Sequence, residues 1–204
     1  MKDIGNLDEI EILFITGNKH KYSEVLPIAR SLGFKTMMKP GYKLEIQSDS
    51  LEDISITAAI EAYKYLKKPL MIEDAGLFID TLNGFPGPYS SYVYKTIGCD
   101  GILKLMMNKT ERYATFRSVV TIIYPPFIIV ERGECRGSIA YEKRGDKGFG
   151  FDPIFIPLGE ERTFAEMSVN EKNVFSHRAK AVRKALYKLK KLLESLSDIN
   201  LNAP

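Results

Sequence analysis

The chain is poor in the residues that build covalent or metal-held frameworks, with two cysteines and two histidines in 204 residues. Cys99 and Cys135 stand apart, without CxxC spacing or a neighbouring histidine pair. That excludes a disulfide scaffold and a structural zinc site, and is the pattern of a reduced, intracellular (cytoplasmic) protein. No uninterrupted apolar run approaches the ~20 residues that span a bilayer. The charged start (Lys2, Asp3, Glu9, Glu11) lacks the apolar region of a signal peptide. An excess of one charge is missing too: a net +3, dispersed along the chain, does not point to a nucleic-acid or membrane partner. Gln47 is the sole glutamine among plentiful Lys, Arg and Glu, a composition that leans toward a thermophilic source. What remains, 45% hydrophobic and 27% charged residues, describes a soluble globular domain large enough to bury a core.

Hydrophobic periodicity divides the chain without repeats or low-complexity segments. Residues 10–16 read as a largely apolar, central strand, broken by Gly17-Asn18. A helix is predicted from about Lys21 to Leu32 with Gly33 as its stop. A polar stretch, Tyr42 to Ser50, places Glu45 among β-compatible residues. A second helix spans about Leu51 to Leu66. Leu70-Met71-Ile72 is a short buried strand that delivers Glu73-Asp74 at its C-terminal end. Gly84-Phe85-Pro86-Gly87-Pro88 is a rigid turn. A helix near Gly101–Met107 precedes the β-rich run Tyr113–Arg136, which Pro125-Pro126 splits into a hairpin-like pair. Residues 138–142 and 154–156 read as further strands. The last helix, about His177 to Leu196, carries Val182, Ala185, Leu186, Leu189, Leu192, Leu193 and Leu196 on one face. The expected class is mixed α/β: a long twisted sheet with flanking helices.

Three groups of residues carry chemistry. Thr16-Gly17-Asn18-Lys19-His20-Lys21 is a strand-to-helix turn, whose unpaired N–H groups and lysines suit a phosphate. It is not a Walker A loop, because the second Gly and the Lys-Ser/Thr pair are missing. An ordinary turn with solvated lysines accounts for it equally well. Glu45, Glu73 and Asp74 are hard oxygen donors of the kind Mg²⁺ takes, and Asp74 has the chemistry to orient or deprotonate a water. Taken as an isolated dipeptide, Glu73-Asp74 is only a polar strand end.

The third group is Gly148-Phe149-Gly150-Phe151-Asp152-Pro153 with Ser176-His177-Arg178. Two rings alternate along a stretch expected to be extended, so one can meet a flat ligand while the other packs. Asp152, biased to an extended conformation by Pro153, accepts from N–H groups on a base edge, whereas Arg donates to keto oxygens. Ser176 is a natural N-cap, and cations at a helix N-terminus oppose its dipole. A keto oxygen or phosphate would offset that; both side chains extending into water is the plainer alternative. Lys172 is ambiguous by itself. The lysines and arginines from Lys180 to Lys191 form a basic stripe, read as a solvated face.

Together these segments resemble the inosine triphosphate pyrophosphatase family, also called the Ham1-like or non-standard purine nucleoside triphosphate pyrophosphatases. The likeness runs from about Ile12 to Leu193. It rests on Thr16–Lys21, Glu73-Asp74-Ala75-Gly76-Leu77, Gly84-Phe85-Pro86-Gly87-Pro88-Tyr89-Ser90, residues 148–153 and Ser176-His177-Arg178. The resemblance implies one two-lobed unit with an active-site cleft between the lobes, read as residues 1–197; the residues after Ser197, 198–204, read as a flexible tail. It implies a cytoplasmic homodimer without a nucleic-acid or membrane partner, acting on ITP, dITP and XTP. By matching position, Thr16 to Lys21 and Ala75 would meet the triphosphate. Glu45 and Asp74 would bind Mg²⁺, with Asp74 also accepting the proton of the attacking water. Phe149, Gly150, Phe151, Asp152, Lys172, His177 and Arg178 would line the nucleotide site, with His177 and Arg178 near the 6-keto group.

Two positions depart from the family pattern. Ala75 replaces a Ser/Thr, removing a hydroxyl near the phosphates and predicting tempered activity. Tyr92 stands where bacterial members often carry Arg. The rival readings are a Maf-like pyrophosphatase, against which Ser176-His177-Arg178 argues, and a non-catalytic nucleotide or nucleic-acid binding module, against which Glu45 and Asp74 argue.

Overall fold

The computed structural model describes residues 10–201; the charged start (1–9) and the last three residues of the expected tail (202–204) lie outside that range. Apolar residues at nearly every position make β1 (Ile10–Ile15) an internal strand. It pairs in parallel with β2 (Phe34–Lys39) and with β3 (Leu70–Ile79). α1 (Lys19–Ser31) starts two residues before the expected Lys21, because Asn18 caps it. The Asn18 side-chain oxygen accepts from the amides of His20 and Lys21 at 2.9 and 3.1 Å. α2 (Leu51–Leu66) takes the expected span, capped by Ser50, whose Oγ accepts from the Asp53 amide. Residues 40–50 form neither helix nor strand. Their side chains reach across to β3, with Lys43 on Asp74, instead of their backbone extending the sheet.

β5 (Tyr113–Tyr124) and β6 (Phe127–Ile139) make the hairpin predicted around Pro125-Pro126, with Tyr124 opposite Phe127. β4 (Pro86–Gly87) pairs with β3, and β7 (Phe155–Pro157) with the end of β6. The sheet order is β2-β1-β3-β5-β6-β7, parallel on one side of β3 and antiparallel on the other. The strand expected over 138–142 ends at Ile139. There the buried Arg112 takes the carbonyls of Ile139 and Ala140, each at 2.7 Å. The remaining helices are α3 (Ser90–Thr96), α4 (Gly98–Leu105), α5 (Val169–Phe175) and α6 (His177–Leu201). α4 lies slightly upstream of its predicted place, and α6 runs past Leu196 into the segment expected to be tail.

The long strands serve cores at both ends. At one end Met71, Val120, Ile122 and Ile129 pack beneath α1 and α6, while Leu70, Ile72 and Ile123 pack beneath α2 on the opposite face. At the other end Leu77, Ile79, Phe116, Cys135 and Ile139 pack with Ile102, Phe151, Phe155 and Phe164. Between the two lies the acidic motif. Glu73 and Asp74 are therefore not at the end of a short strand as predicted. β3 continues through them to Ile79, because its ladder with β5 is unbroken from Glu73 opposite Val120 to Gly76 opposite Arg117.

α6 rests directly on β6. A Cβ at Gly133 would come within 2.1 Å of the His177 carbonyl oxygen and 2.5 Å of the Ala181 nitrogen. Lys180 and Lys184, read from sequence as solvated, donate to the carbonyls of Glu134 and Arg132 at 3.0 Å, and Lys188 pairs with Glu131 at 2.9 Å. Gly133→Val should push the start of α6 off the strand at a cost of ~1–3 kcal/mol. For a chain of this size that lowers the thermal midpoint by roughly 2–4 °C per kcal/mol. An unchanged midpoint in calorimetry would show that this contact is not needed.

Candidate active site

β1 pairs with β3 only through Leu13 opposite Leu70 and Phe14 opposite Met71. Past that point the Thr16–Lys21 turn comes alongside β3. The Thr16 Oγ1 accepts from the Asn18 amide at 3.1 Å. Since Asn18 already satisfies the amides of His20 and Lys21, the turn has fewer free N–H groups for an anion than its sequence predicts. Gly17, Lys19 and His20 are exposed, and Lys21 is turned inward. Lys21 Nζ lies 2.8 Å from Glu73 Oε2 and 4.0 Å from Asp74 Oδ1.

Successive strand residues face opposite sides of a sheet. Glu73 thus follows Met71 toward α1 and α6, and Asp74 follows Ile72 toward α2. Glu73 is fully enclosed and accepts from Ser118 Oγ at 2.7 Å. Burial works to raise its pKa, but Arg178, Lys21 and the Ser118 hydrogen bond overcome that and hold it far below the usual carboxylate range. Asp74 is partly exposed and meets Lys43 Nζ at 2.9 Å; Glu45 lies 3.8 Å from the same ammonium. Ala75 stands next on β3, opposite Ser118.

Glu24, on α1, is the residue the sequence reading missed. It is 2% exposed, and its carboxylate joins Lys172 Nζ at 2.7 Å to Arg178 Nη1 at 2.5 Å. Lys172 also reaches Asp152 Oδ2 at 2.6 Å, and Arg178 Nε lies 3.0 Å from Glu73 Oε1. A chain of alternating charge follows: Asp152, Lys172, Glu24, Arg178, Glu73, Lys21, Asp74, Lys43, Glu45. It runs from the predicted base pocket to the predicted metal carboxylates. Burial opposes the charge on Glu24, yet Arg178 and Lys172 hold its pKa below the usual value. In sequence, Glu24 is one acid on a helix otherwise read by its apolar face. Only its position relative to Val25 and Ile28, both buried, hinted that it faces inward.

The Phe149 segment is a folded turn, contrary to the extended stretch predicted. Asp152 Oδ2 accepts from the Phe149 amide at 2.8 Å, and Asp152–Ile154 form a 3₁₀ turn in which Pro153 is tolerated near the start. Gly148, at φ 73°, permits this: a Cβ there would lie 2.2 Å from Asp152 Oδ2. Gly150 follows with φ 63° and open space around it. Phe151 is buried and meets Tyr94 edge-on at 5.5 Å, so it belongs to the core. Phe149 faces the site. The His20 ring stacks on it at 5.4 Å and 18°, and Lys172 Nζ and the Arg178 guanidinium lie 5.1 and 5.3 Å from its centre.

His177 and Arg178 do not extend into water. Ser176 caps α6 by accepting from the Ala179 amide at 3.1 Å, and both following side chains are buried. The electrostatic cost of Arg178 at a helix start is offset by Glu24 and Glu73. His177 stacks on Phe116 at 4.6 Å and 7°. Burial and then the Arg178 charge push its pKa well down, so the imidazole is neutral, and its Nδ1 has no partner among the described residues. Burial outweighs Lys172 at Asp152 and raises that pKa.

Among the described residues no three His, Cys, Asp or Glu side chains cluster as a self-sufficient metal cage. Mg²⁺ does not need one, since it binds through one or two carboxylates and fills its shell with water and phosphate oxygens. Glu45 and Asp74 already hold one cation between them, the Lys43 ammonium, so the donor set fits.

The Ham1 family model matches residues 12–188. The chain belongs to the Ham1 family. Two curated relatives called dITP/XTP pyrophosphatase are similar to it. That of Hyperthermus butylicus is 51% identical over 84% of this chain and 90% of its own length. That of Ignicoccus hospitalis is 49% identical over 85% and 94%. Among solved structures, a HAM1 protein from Coxiella burnetii superposes with a TM-score of 0.77 at 29% identity. The match covers 89% of this chain and 99% of the other. The Ham1 likeness thus spans both the sheet and all the segments that build the site.

Two outcomes follow from the buried charges. Glu24→Gln leaves Lys172 and Arg178 short of a counter-charge and should cost ~3–5 kcal/mol in denaturant unfolding; a variant of wild-type stability would mean that solvent reaches this site. His177 has a folded pKa below its unfolded value of about 6.5. The unfolded chain therefore binds more protons below that pH, and stability should fall as pH drops from about 6.5. Replacing His177 with Phe should flatten that limb, and an unaltered pH profile would place the titration elsewhere.

Proposed function

We propose that this chain is a nucleoside triphosphate pyrophosphatase that removes deaminated purines from the nucleotide pool. It converts ITP, dITP and XTP to the nucleoside monophosphate and pyrophosphate. The observation that carries this reading is the unbroken charge chain from Asp152 to Glu45. It makes one site of the aromatic face at Phe149 and the carboxylates at Asp74 and Glu45. The names of the relatives agree with it.

In this reading the base stacks at Phe149, which requires the exposed His20 ring to shift from its present stack or to sandwich the base. Arg178, hydrogen-bonded to Glu24 through Nη1 and ion-paired with Glu73 through Nε, offers a guanidinium N–H to a 6-keto oxygen. Adenine would offer an amino donor to that donor and leave both unpaired, a mismatch that penalises binding strongly. Asp152 and Lys172 position the turn that carries Phe149. Neutral His177 supplies a hydrogen-bonding group beside Arg178 without adding charge. Thr16, Gly17, Asn18, Lys19 and Lys21 meet the triphosphate, the lysines offsetting its charge. Glu45 and Asp74 would hold Mg²⁺, whose chemistry there is neutralisation of charge at the phosphates. Asp74 accepts the proton of the water that attacks the α-phosphorus, and the bond to the bridging oxygen of pyrophosphate breaks.

The reading extends to a single cytoplasmic unit, residues 1–197, that acts as a homodimer without nucleic acid or membrane. Phe85, Tyr89, Tyr92 and Tyr94, exposed on and before α3, offer apolar surface for a second copy. Among the described residues, no helix is long and apolar enough to cross a membrane.

Pyrophosphate release with Mg²⁺ should favour ITP, dITP and XTP over ATP by at least about tenfold, the free-energy equivalent of one net hydrogen bond; the same preference over GTP, which shares the 6-keto oxygen, has to come from its 2-amino group. Asp74→Asn should lower kcat by roughly 100-fold or more while the chain stays folded. Equal rates on ATP would overturn the substrate assignment, and a fully active Asp74→Asn would remove Asp74 from the chemistry.

A further inference from the structure

Lys43 belongs to none of the motifs that define the site, yet its ammonium pairs with both of the carboxylates that would hold a metal, Asp74 and Glu45. Nζ is 2.9 Å from Asp74 Oδ1 and 3.8 Å from Glu45 Oε1. A divalent ion bound to both carboxylates sits within ~2.1 Å of their oxygens. It cannot share that volume with an ammonium, and two adjacent cations repel. Lys21, the other nearby cation, is engaged with Glu73 at 2.8 Å and lies 4.0 Å from Asp74, so it is not the group in the way. Lys43 stands two residues before Glu45 in the stretch 40–50, which has no helix or strand, so its side chain can move away without breaking a backbone ladder.

We propose that Lys43 is the resident counter-cation of the Glu45–Asp74 pair, displaced when a divalent metal binds and transferred to the incoming triphosphate. This rests on the reading of Glu45 and Asp74 as metal carboxylates. Without nucleotide, metal and ammonium compete for the same two carboxylates. With nucleotide present, the phosphates supply enough negative charge for both. Metal and triphosphate binding are then positively coupled, each raising the affinity for the other by the same factor. The consequence is a substrate-free site that resists loading with metal.

Mn²⁺ binding to the full chain, followed by the electron paramagnetic resonance of free Mn²⁺, tests this without turnover. Lys43→Met should bind Mn²⁺ roughly two- to fivefold tighter than wild type in the absence of nucleotide, the size of a part-exposed charge contact. Lys43→Arg, which keeps the charge, should stay near wild type. A non-hydrolysable inosine triphosphate analogue should tighten Mn²⁺ binding more in wild type than in Lys43→Met. Asp74→Asn should abolish the binding in each background. If binding depends on Asp74 but Lys43→Met leaves it unchanged or weakened, Lys43 does not compete and the proposal fails while the metal reading stands. If Asp74→Asn leaves Mn²⁺ binding intact, the metal reading itself fails and takes the proposal with it.

Discussion

Glu24 holds Lys172 and Arg178 at once, in a place where water does not reach. Each of those cations grips a second carboxylate, Asp152 on one side and Glu73 on the other. Buried charges are tolerable only when each finds opposite partners and hydrogen bonds. That requirement joins α1, α5, the start of α6, the middle of β3 and the Phe149 turn into one arrangement. Moving any of these elements would leave a charge unmatched in the interior. The arrangement therefore serves precision more than stability, since a well-packed apolar core could hold the same elements together.

Sheet geometry explains why a polar chain can run through the middle of the molecule. β3, β5 and β6 are long enough to feed apolar cores at both ends. The seam between those cores is where Glu73 and Asp74 fall. Because neighbouring strand residues face opposite sides, one acid enters the enclosed network and the other reaches the more open side near Lys43 and Glu45. The early end of β1 leaves that stretch of β3 beside the turn that carries Lys21. Two adjacent carboxylates thereby acquire different environments. Glu73 stays ionised within its pairs, and Asp74 stays partly exposed.

The departures from the family pattern sit at the edges of this arrangement. Ala75 lies on β3 opposite Ser118, outside every ion pair in the chain of charges. Tyr92 is 70% exposed on α3 and belongs with a group of surface aromatics. Neither touches Glu24 or its partners. The site's internal order is compatible with both substitutions.

Much of the fold is legible in the sequence alone. The periodicity located β1, α2, the β5–β6 hairpin and α6, because those elements are governed by local burial patterns. The ordered motifs pointed to the family and to residues that the fold brings together. What the sequence determined alone was the set of chemical groups, with Asp74, Glu45, Phe149, Asp152, His177 and Arg178 among them. Tertiary structure decided which of those groups stay open to solvent and which face one another. Phe151 went to the core, Asp152 folded back onto the Phe149 amide, and Arg178 turned from water to Glu24 and Glu73. Glu24 and Lys43 could not be found by motif, since each matters only through partners distant along the chain. Ion pairing depends on separation in space and on burial, and neither is written in the spacing of residues.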